Sequence, residues 1–323
     1  MGLKAPSFWF NKNAALAVLL SPAACLYQAG ARLHQKYKAA PYDSALPVIC
    51  AGNIVSGGAG KTPVVQALIK LLKENGQAVN PAVLLRGYGG KISGPSLVAP
   101  NAHSVKDVGD EALLHAQLCQ TIVSRRRDLG AKLAELGGND LIVMDDGLQN
   151  TDLIKDISFL VVDTDQGLGN GKLLPAGPLR EPLSDALKKT DAVIAIGQNA
   201  LPFETEKPVF KAKITPEENL SFDKPVIAFA GIGRPSKFFD SLKQSGAEII
   251  ETCPFPDHHF YTDKDIAKLL EKARQAKADL YTTEKDAVRL PLSIREQVQT
   301  LPVHLVFEDD AALLDFLTAR LHS

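Results

Sequence analysis

Apolar runs of four or five residues recur along the chain, each ending in a polar or glycine-rich turn. The first complete unit begins at Val48 to Ala51, a run that reads as a buried strand. It is followed by Gly52-Asn53-Ile54-Val55-Ser56-Gly57-Gly58-Ala59-Gly60-Lys61-Thr62-Pro63, then by Val65, Leu68, Ile69 and Leu72 on one helical face. Further buried strands are predicted at Ala82 to Leu85, Gln120 to Ser124, Leu141 to Met144, Ser158 to Val162 and Ala192 to Ile196. A proline- and charge-bearing seam with a short alternating run, Val209 to Ile214, separates these from a second α/β pattern. That pattern has strands at Val226 to Ala230, Ala247 to Glu251 and Asp279 to Tyr281, and a helix opened by the capping-box spacing of Thr262 and Asp265. Val303 to Phe307 and Ala311 to Leu321 read as a closing strand and helix.

The glycine-rich turn between strand and helix has the makings of a phosphate-binding loop. Ser56, Gly57, Gly58, Ala59 and Gly60 can turn backbone N–H groups around an anion, and the helix start adds its own free donors. Lys61 is placed to reach the β and γ phosphates, and the Thr62 hydroxyl to hold Mg²⁺. The usual pattern has a glycine six residues before the lysine, where this chain has Val55. The second signal is Leu141-Ile142-Val143-Met144-Asp145-Asp146-Gly147-Leu148-Gln149. Paired carboxylates at a strand end repel one another unless a cation is present, so Asp145 and Asp146 are candidate Mg²⁺ ligands. Together the two elements predict P-loop phosphoryl transfer from a nucleotide.

Other features are ambiguous on physics alone. Arg86-Gly87-Tyr88-Gly89-Gly90-Lys91 closes a strand and suits an anionic substrate, or it is a plain turn with a solvated arginine. Asp110 at the start of a helix is favourable for dipole reasons by itself. The long glycine- and proline-rich loop from Gly169 to Pro182 carries Arg180 and Glu181, one cation and one anion for the phosphate site. Asp257-His258 is a surface loop, or half of an acid/base pair that a two-domain cleft would complete.

The first forty residues differ from the rest. Ala14 to Leu20 is uninterrupted apolar sequence and Ala23 to Ala31 nearly so, broken by Ser21-Pro22, with Lys4 and Lys12 before and Arg32, Lys36 and Lys38 after. Phe8 and Trp9 sit where interface anchors belong. The stretch is alanine-rich and interrupted, so a helix lying in a membrane surface is expected rather than a span. Composition adds two exclusions. A net charge of -1 gives no electrostatic case for nucleic acid. The four scattered cysteines, Cys25, Cys50, Cys119 and Cys253, form neither a disulfide framework nor metal-ligand spacing.

Taken together these pieces resemble the tetraacyldisaccharide 4′-kinase family. The resemblance rests on the phosphate loop, Arg86-Gly87-Tyr88-Gly89, Val108-Gly109-Asp110-Glu111 and Asp145-Asp146-Gly147-Leu148-Gln149. It continues through Leu174-Pro175-Ala176-Gly177-Pro178-Leu179-Arg180-Glu181, Phe255-Pro256-Asp257-His258 and Thr283-Glu284-Lys285-Asp286. It implies a MgATP-dependent kinase acting on the 4′-hydroxyl of a tetraacyl disaccharide 1-phosphate at the cytoplasmic face of a Gram-negative inner membrane. Asp110 would be the base, assisted by His258, with Lys61 at the transferring phosphate. Arg180 and Glu181 would border the nucleotide, and Arg86 and Gln149 would meet the substrate. One departure is Asn150, where family members often carry histidine.

The expected architecture is α/β: a P-loop NTPase α/β/α sandwich, a second, smaller α/β domain and an N-terminal membrane-associated helix. Its parts are residues 1–40 (membrane helix), 41–205 (kinase core), 206–224 (linker), 225–302 (smaller domain) and 303–323 (return strand and last helix). A monomer is expected. A P-loop ATPase of the partition or metal-insertion type is the rival enzyme, but its signature lysine falls at Ser56. A nucleotide switch is the rival from another class, and it would show Asn-Lys-x-Asp, a spacing that Thr283-Glu284-Lys285-Asp286 lacks.

Overall fold

The computed structural model describes residues 6–11, 14–36, 40–217 and 220–321, with side chains of 31–36 left aside. Lys4, Lys12 and Lys38, expected to flank the N-terminal apolar stretch, lie outside the described residues. The strands in chain order are β1 (Val48–Gly52), β2 (Pro81–Leu85), β3 (Ser96–Leu97), β4 (Gln120–Val123), β5 (Leu141–Asp145), β6 (Ile157–Asp163) and β7 (Ala192–Ile196). They continue with β8 (Val209–Pro216), β9 (Val226–Ala230), β10 (Ile249–Pro254), β11 (Asp279–Thr283), β12 (Gln299–Leu301) and β13 (Val303–Phe307).

Nine strands form one sheet in the order β13-β8-β7-β6-β1-β5-β2-β4-β3, and four form another in the order β10-β9-β11-β12. The large sheet is parallel from β8 to β4, with antiparallel β13 and β3 at its edges. Alternation along the central strands buries both faces. Ile49, Ala51 and Val143 face the helix Lys61–Glu74 and the helix Asp310–Leu321. Val48, Cys50, Ile142 and Met144 face the helix Arg127–Leu136. The result is an α/β/α sandwich. The small sheet repeats the scheme, with Ile227 and Phe229 toward the helix Asp263–Ala276 and Ala228 toward the helix Pro235–Gln244.

β8 and β13 pair with each other, and β8 also pairs with β7. The chain segments entering and leaving the small sheet therefore extend the large one. The register places Ala51 beside Asp145, so the loop after β1 and the carboxylate ending β5 emerge together. β5 and β6 lie on opposite sides of β1. The site is thus at a switch point at the carboxyl ends of the strands, where open α/β sheets bind ligands.

Some local expectations shift. β10 begins at Ile249 rather than Ala247, because Gly246 (φ 95°) ends the preceding helix and Ala247 is buried beneath that helix. β3 and β12 were not foreseen, being too short to show periodicity. The N-terminal stretch forms two helices, Ala15–Leu19 and Ser21–Lys36, meeting at Leu20. Among the described residues no helix is long and apolar enough to cross a membrane.

Phe159 on β6 is fully buried and its ring lies 6.4 Å from Phe210 and 5.9 Å from Phe316, tying β8 and the last helix to the sheet centre. Phe159→Ala is expected to destabilise the large sheet by about 3–5 kcal/mol. A lowered urea midpoint at unchanged slope would be the readout, and an unchanged midpoint would refute this account of the core.

Candidate active site

The phosphate loop leaves β1 at Gly52, where a Cβ would meet Leu148 Cβ at 2.5 Å. Only glycine lets the loop pass this close to the turn that follows Asp146. At its far end Gly60 caps the helix Lys61–Glu74 with φ 79°, and a Cβ there would meet Ile196 at 2.7 Å. Lys61 is fixed from behind: its Nζ donates to Asn53 Oδ1 (3.3 Å) and lies 3.7 Å from Asp146 Oδ2. Asn53 is fully buried and holds its own amide against Val55 O (2.8 Å). Ser56, expected to offer its amide to a phosphate, donates it to Pro178 O instead (2.8 Å). That bond docks the Gly169–Pro182 loop against the phosphate loop.

The two aspartates after β5 have different surroundings. Asp145 ends the strand, buried, and its Oδ2 accepts from Thr62 Oγ1 (3.1 Å) and His115 Nε2 (2.9 Å). Its Oδ1 is buried with no hydrogen-bond partner in the protein. Burial pushes the Asp145 carboxyl up, but the His115 hydrogen bond, Lys61 and Thr62 outweigh it and hold the group below the usual carboxylate range. Asp146 adopts φ 59°, a left-handed conformation that non-glycine residues hold at a cost. There it receives both bonds from Arg180 Nη1 (2.8 and 2.9 Å). Glu181 accepts from Gln149 Nε2 (3.0 Å) and Lys189, while Gln149 also donates to Asn53 O (2.8 Å). Gln149, expected to meet the substrate, is thus held between Asn53 and Glu181. Thr62 and Asp145 supply hard oxygen donors, one of them unpartnered, as a small divalent cation that keeps its waters and substrate phosphates requires. Among the described residues there is no cluster of three or more acidic, His or Cys ligands that could hold a metal alone.

Asp110 begins the helix Asp110–His115 and is met from the small sheet. Its Oδ1 accepts the Glu111 amide (2.9 Å). Its Oδ2 receives Arg289 Nε (2.9 Å), Arg289 Nη2 and His258 Nδ1 (3.1 Å), with Lys285 Nζ at 3.9 Å. Burial pushes this carboxyl up, and the His258 hydrogen bond with the Lys285 and Arg289 charges overcomes it, holding Asp110 well below the usual range. Arg289 Nη2 also lies 3.4 Å from His258 Nδ1. The carboxylate is the nearer partner and accepts only, so Nδ1 carries the proton and Nε2 presents a lone pair. His258 has φ 56°, its side chain is 32% exposed, and its ring lies 5.8 Å from that of Tyr88. Arg86 is exposed at the end of β2.

The structure brings Lys61, Thr62, Asp145, Asp146, Gln149, Arg180 and Glu181 into one connected network, and Asp110 with His258 into another. The helix Asp110–His115 joins the two, because His115 at its end touches Asp145. Asn53, His115 and Arg289 escaped the sequence reading. The one legible hint for Arg289 was its spacing of three residues from Asp286, to which it donates (2.8 Å).

Residues 16–322 match the family model described as tetraacyldisaccharide-1-P 4′-kinase. The chain is 43% identical to the tetraacyldisaccharide 4′-kinase of a Bradyrhizobium species, covering 99% of this chain and 96% of that one. It is 47% identical to that of Methylobacterium nodulans, over 97% and 94%. The crystal structure of LpxK from Aquifex aeolicus, in complex with ATP, superposes with a TM-score of 0.79 at 30% identity, covering 95% of this chain and 99% of that one. A match along nearly the whole chain, with the expected motifs meeting in one cleft, shows that this chain belongs to the tetraacyldisaccharide 4′-kinase family.

Proposed function

We propose that this protein transfers the γ-phosphate of ATP to the 4′-hydroxyl of tetraacyldisaccharide 1-phosphate in lipid A biosynthesis. The observation that carries the reading is the meeting of a phosphate loop with a cross-domain Asp110–His258 pair at the carboxyl ends of the strands. Gly57 to Thr62 cradle the β and γ phosphates, and Lys61, held by Asn53, neutralises charge on the transferring group. Thr62 and Asp145 are the residues that would hold Mg²⁺, which when bound shields the phosphate oxygens. Asp146 is engaged by Arg180 and keeps that guanidinium at the nucleotide side.

His258 takes the proton of the sugar hydroxyl at Nε2, the ring nitrogen not turned to Asp110. Asp110 orients the imidazole and stabilises the cation that forms. This division differs from the expectation that Asp110 is itself the base. The reason is charge: Arg289 and His258 bond to Asp110 Oδ2, and with Lys285 nearby they hold the carboxyl well below the usual range, which makes it a poor proton acceptor. Tyr88 and Arg86, on the loop beside His258, line the approach for an anionic sugar lipid.

The acceptor is an amphiphile, so the enzyme works at a membrane surface, on the cytoplasmic face of the inner membrane of a Gram-negative bacterium where ATP is available. Leu16, Val18, Leu19 and Leu26 on the N-terminal helices are exposed and provide the apolar face for it. All groups in this scheme come from one chain, so a monomer suffices, and no nucleic acid takes part.

Incubation with MgATP and tetraacyldisaccharide 1-phosphate in detergent micelles is expected to give a 4′-phosphorylated product. His258→Ala and Asp110→Asn should each lower kcat by ~10²–10⁴-fold. ATP hydrolysis unaffected by the lipid, with no lipid product, would favour the ATPase instead. Leu19→Glu with Leu26→Glu is expected to reduce sedimentation with anionic vesicles while leaving activity on micelles within about threefold. Equal sedimentation would remove the membrane role of these helices.

The low pKa of Asp110 also gives a stability test with a definite sign. Its folded value lies below its unfolded value near ~3.9, so its contribution is complete above that value and is lost as pH falls through the folded value. The stability gap between wild type and Asp110→Asn should therefore narrow as pH is lowered from about 5 to about 3. Urea unfolding across that range measures it, and a widening gap would contradict the assignment.

A further inference from the structure

We infer that His115 is a positioning residue for the cation-binding carboxylate: it fixes Asp145 so that one oxygen is left for the divalent cation. The inference rests on the reading of Asp145 and Thr62 as the cation site. His115 is fully buried at the end of the helix Asp110–His115. Its Nε2 lies 2.9 Å from Asp145 Oδ2, and Thr62 Oγ1 donates to that same oxygen at 3.1 Å. A carboxylate only accepts, so Nε2 carries the proton. The two donors saturate Oδ2, and Oδ1 is left buried and unpartnered.

The far side of the ring makes the point sharper. His115 Nδ1 is also buried without a partner. A polar atom left so destabilises a fold, and a leucine or phenylalanine in this core position would avoid the penalty. Purely structural histidines are expected to satisfy both nitrogens. Here the penalty is tolerated on one nitrogen while the other grips the carboxylate beside the phosphate loop. Second partners of this kind set the orientation and basicity of ligating groups, and their loss typically weakens metal affinity 10–100-fold.

The helix also supplies a rigid reference. Asp110, at its other end, is held by His258 and Arg289 from the small sheet. His115 therefore carries the position of the proton-transfer pair to the cation carboxylate along a single short helix.

The test measures binding, so it stands apart from catalysis. Mn²⁺ affinity in the presence of ADP is followed by electron paramagnetic resonance, and ADP affinity is measured separately in EDTA. His115→Phe keeps the ring volume and removes the donor. It is expected to weaken ADP-dependent Mn²⁺ binding by ~10-fold or more, with metal-free ADP affinity within about twofold of wild type. His115→Gln, which retains an N–H donor, should recover most of the Mn²⁺ affinity. If His115→Phe does not fold, His115→Asn, too short to reach Oδ2, takes its place with the same expectation. Unchanged Mn²⁺ affinity, or equal losses with and without metal, would overturn the positioning role. Wild-type protein that binds no Mn²⁺ with ADP would overturn the cation site itself.

Discussion

Asp110 is a carboxylate buried between two sheets, and the working arrangement of the molecule depends on the cations that reach it. An isolated buried charge is prohibitively costly. Among the described residues the large-sheet unit bonds it through the Glu111 amide, while the guanidinium of Arg289 and the imidazole of His258 come from the small-sheet unit. Arg289 is in turn held by Gly231 O and by Asp286, itself fully buried. Asp286 also accepts from Tyr261, Thr283 and the Gly231 amide. Removing one partner of such a pair typically costs about 3–5 kcal/mol, because the survivor is stranded. The buried Asp110 charge thus ties the two sheets together.

A second contact follows the same polarity. Arg234 and Lys237 of the small-sheet unit meet Asp163, and Lys237 also reaches Asp165 (3.2 Å). In both places the carboxylates belong to the large-sheet unit and the cations to the small one. Both contacts hold the small-sheet unit against the large-sheet unit. The Gly169–Pro182 loop extends the linkage to the N-terminus. Trp9 Nε1 donates to Pro175 O (3.0 Å) and the Asn170 amide to Trp9 O (2.7 Å). On its other side the loop accepts the Ser56 amide and sends Arg180 to Asp146. The apolar N-terminal segment and the phosphate loop therefore share one intervening support.

Much of this was legible because the chemistry is local. A phosphate loop is a continuous run of backbone between a strand and a helix, so Gly57 to Thr62 announce it without tertiary information. Asp145 and Asp146 ending an apolar run are likewise a local signal. Asp110 and His258 were different, since they are 148 residues apart and each has an ordinary explanation alone. Only the family resemblance joined them. His115 had no distinguishing signal, and Arg289 only its spacing from Asp286. A histidine in a helical run reads as a core residue, and an arginine after a short helix reads as a solvated one. Both are buried in the fold, where His115 meets Asp145 at the end of β5 and Arg289 meets Asp110 at the start of a helix from the large-sheet unit.

The sequence by itself determined the elements, the layered α/β class and the identity of the phosphate site, because periodicity and glycine placement act over a few residues. Tertiary structure decided what the charged groups do. It separated Asp145, with an unpartnered oxygen, from Asp146, engaged by Arg180, although the two are adjacent in the chain. It buried Asp110 among Arg289, Lys285 and His258, and it left the His258 side chain partly exposed. The physical reason is that a titratable group is defined by its solvation and its neighbours, and for Asp110 those neighbours are supplied from the small-sheet unit more than a hundred residues away.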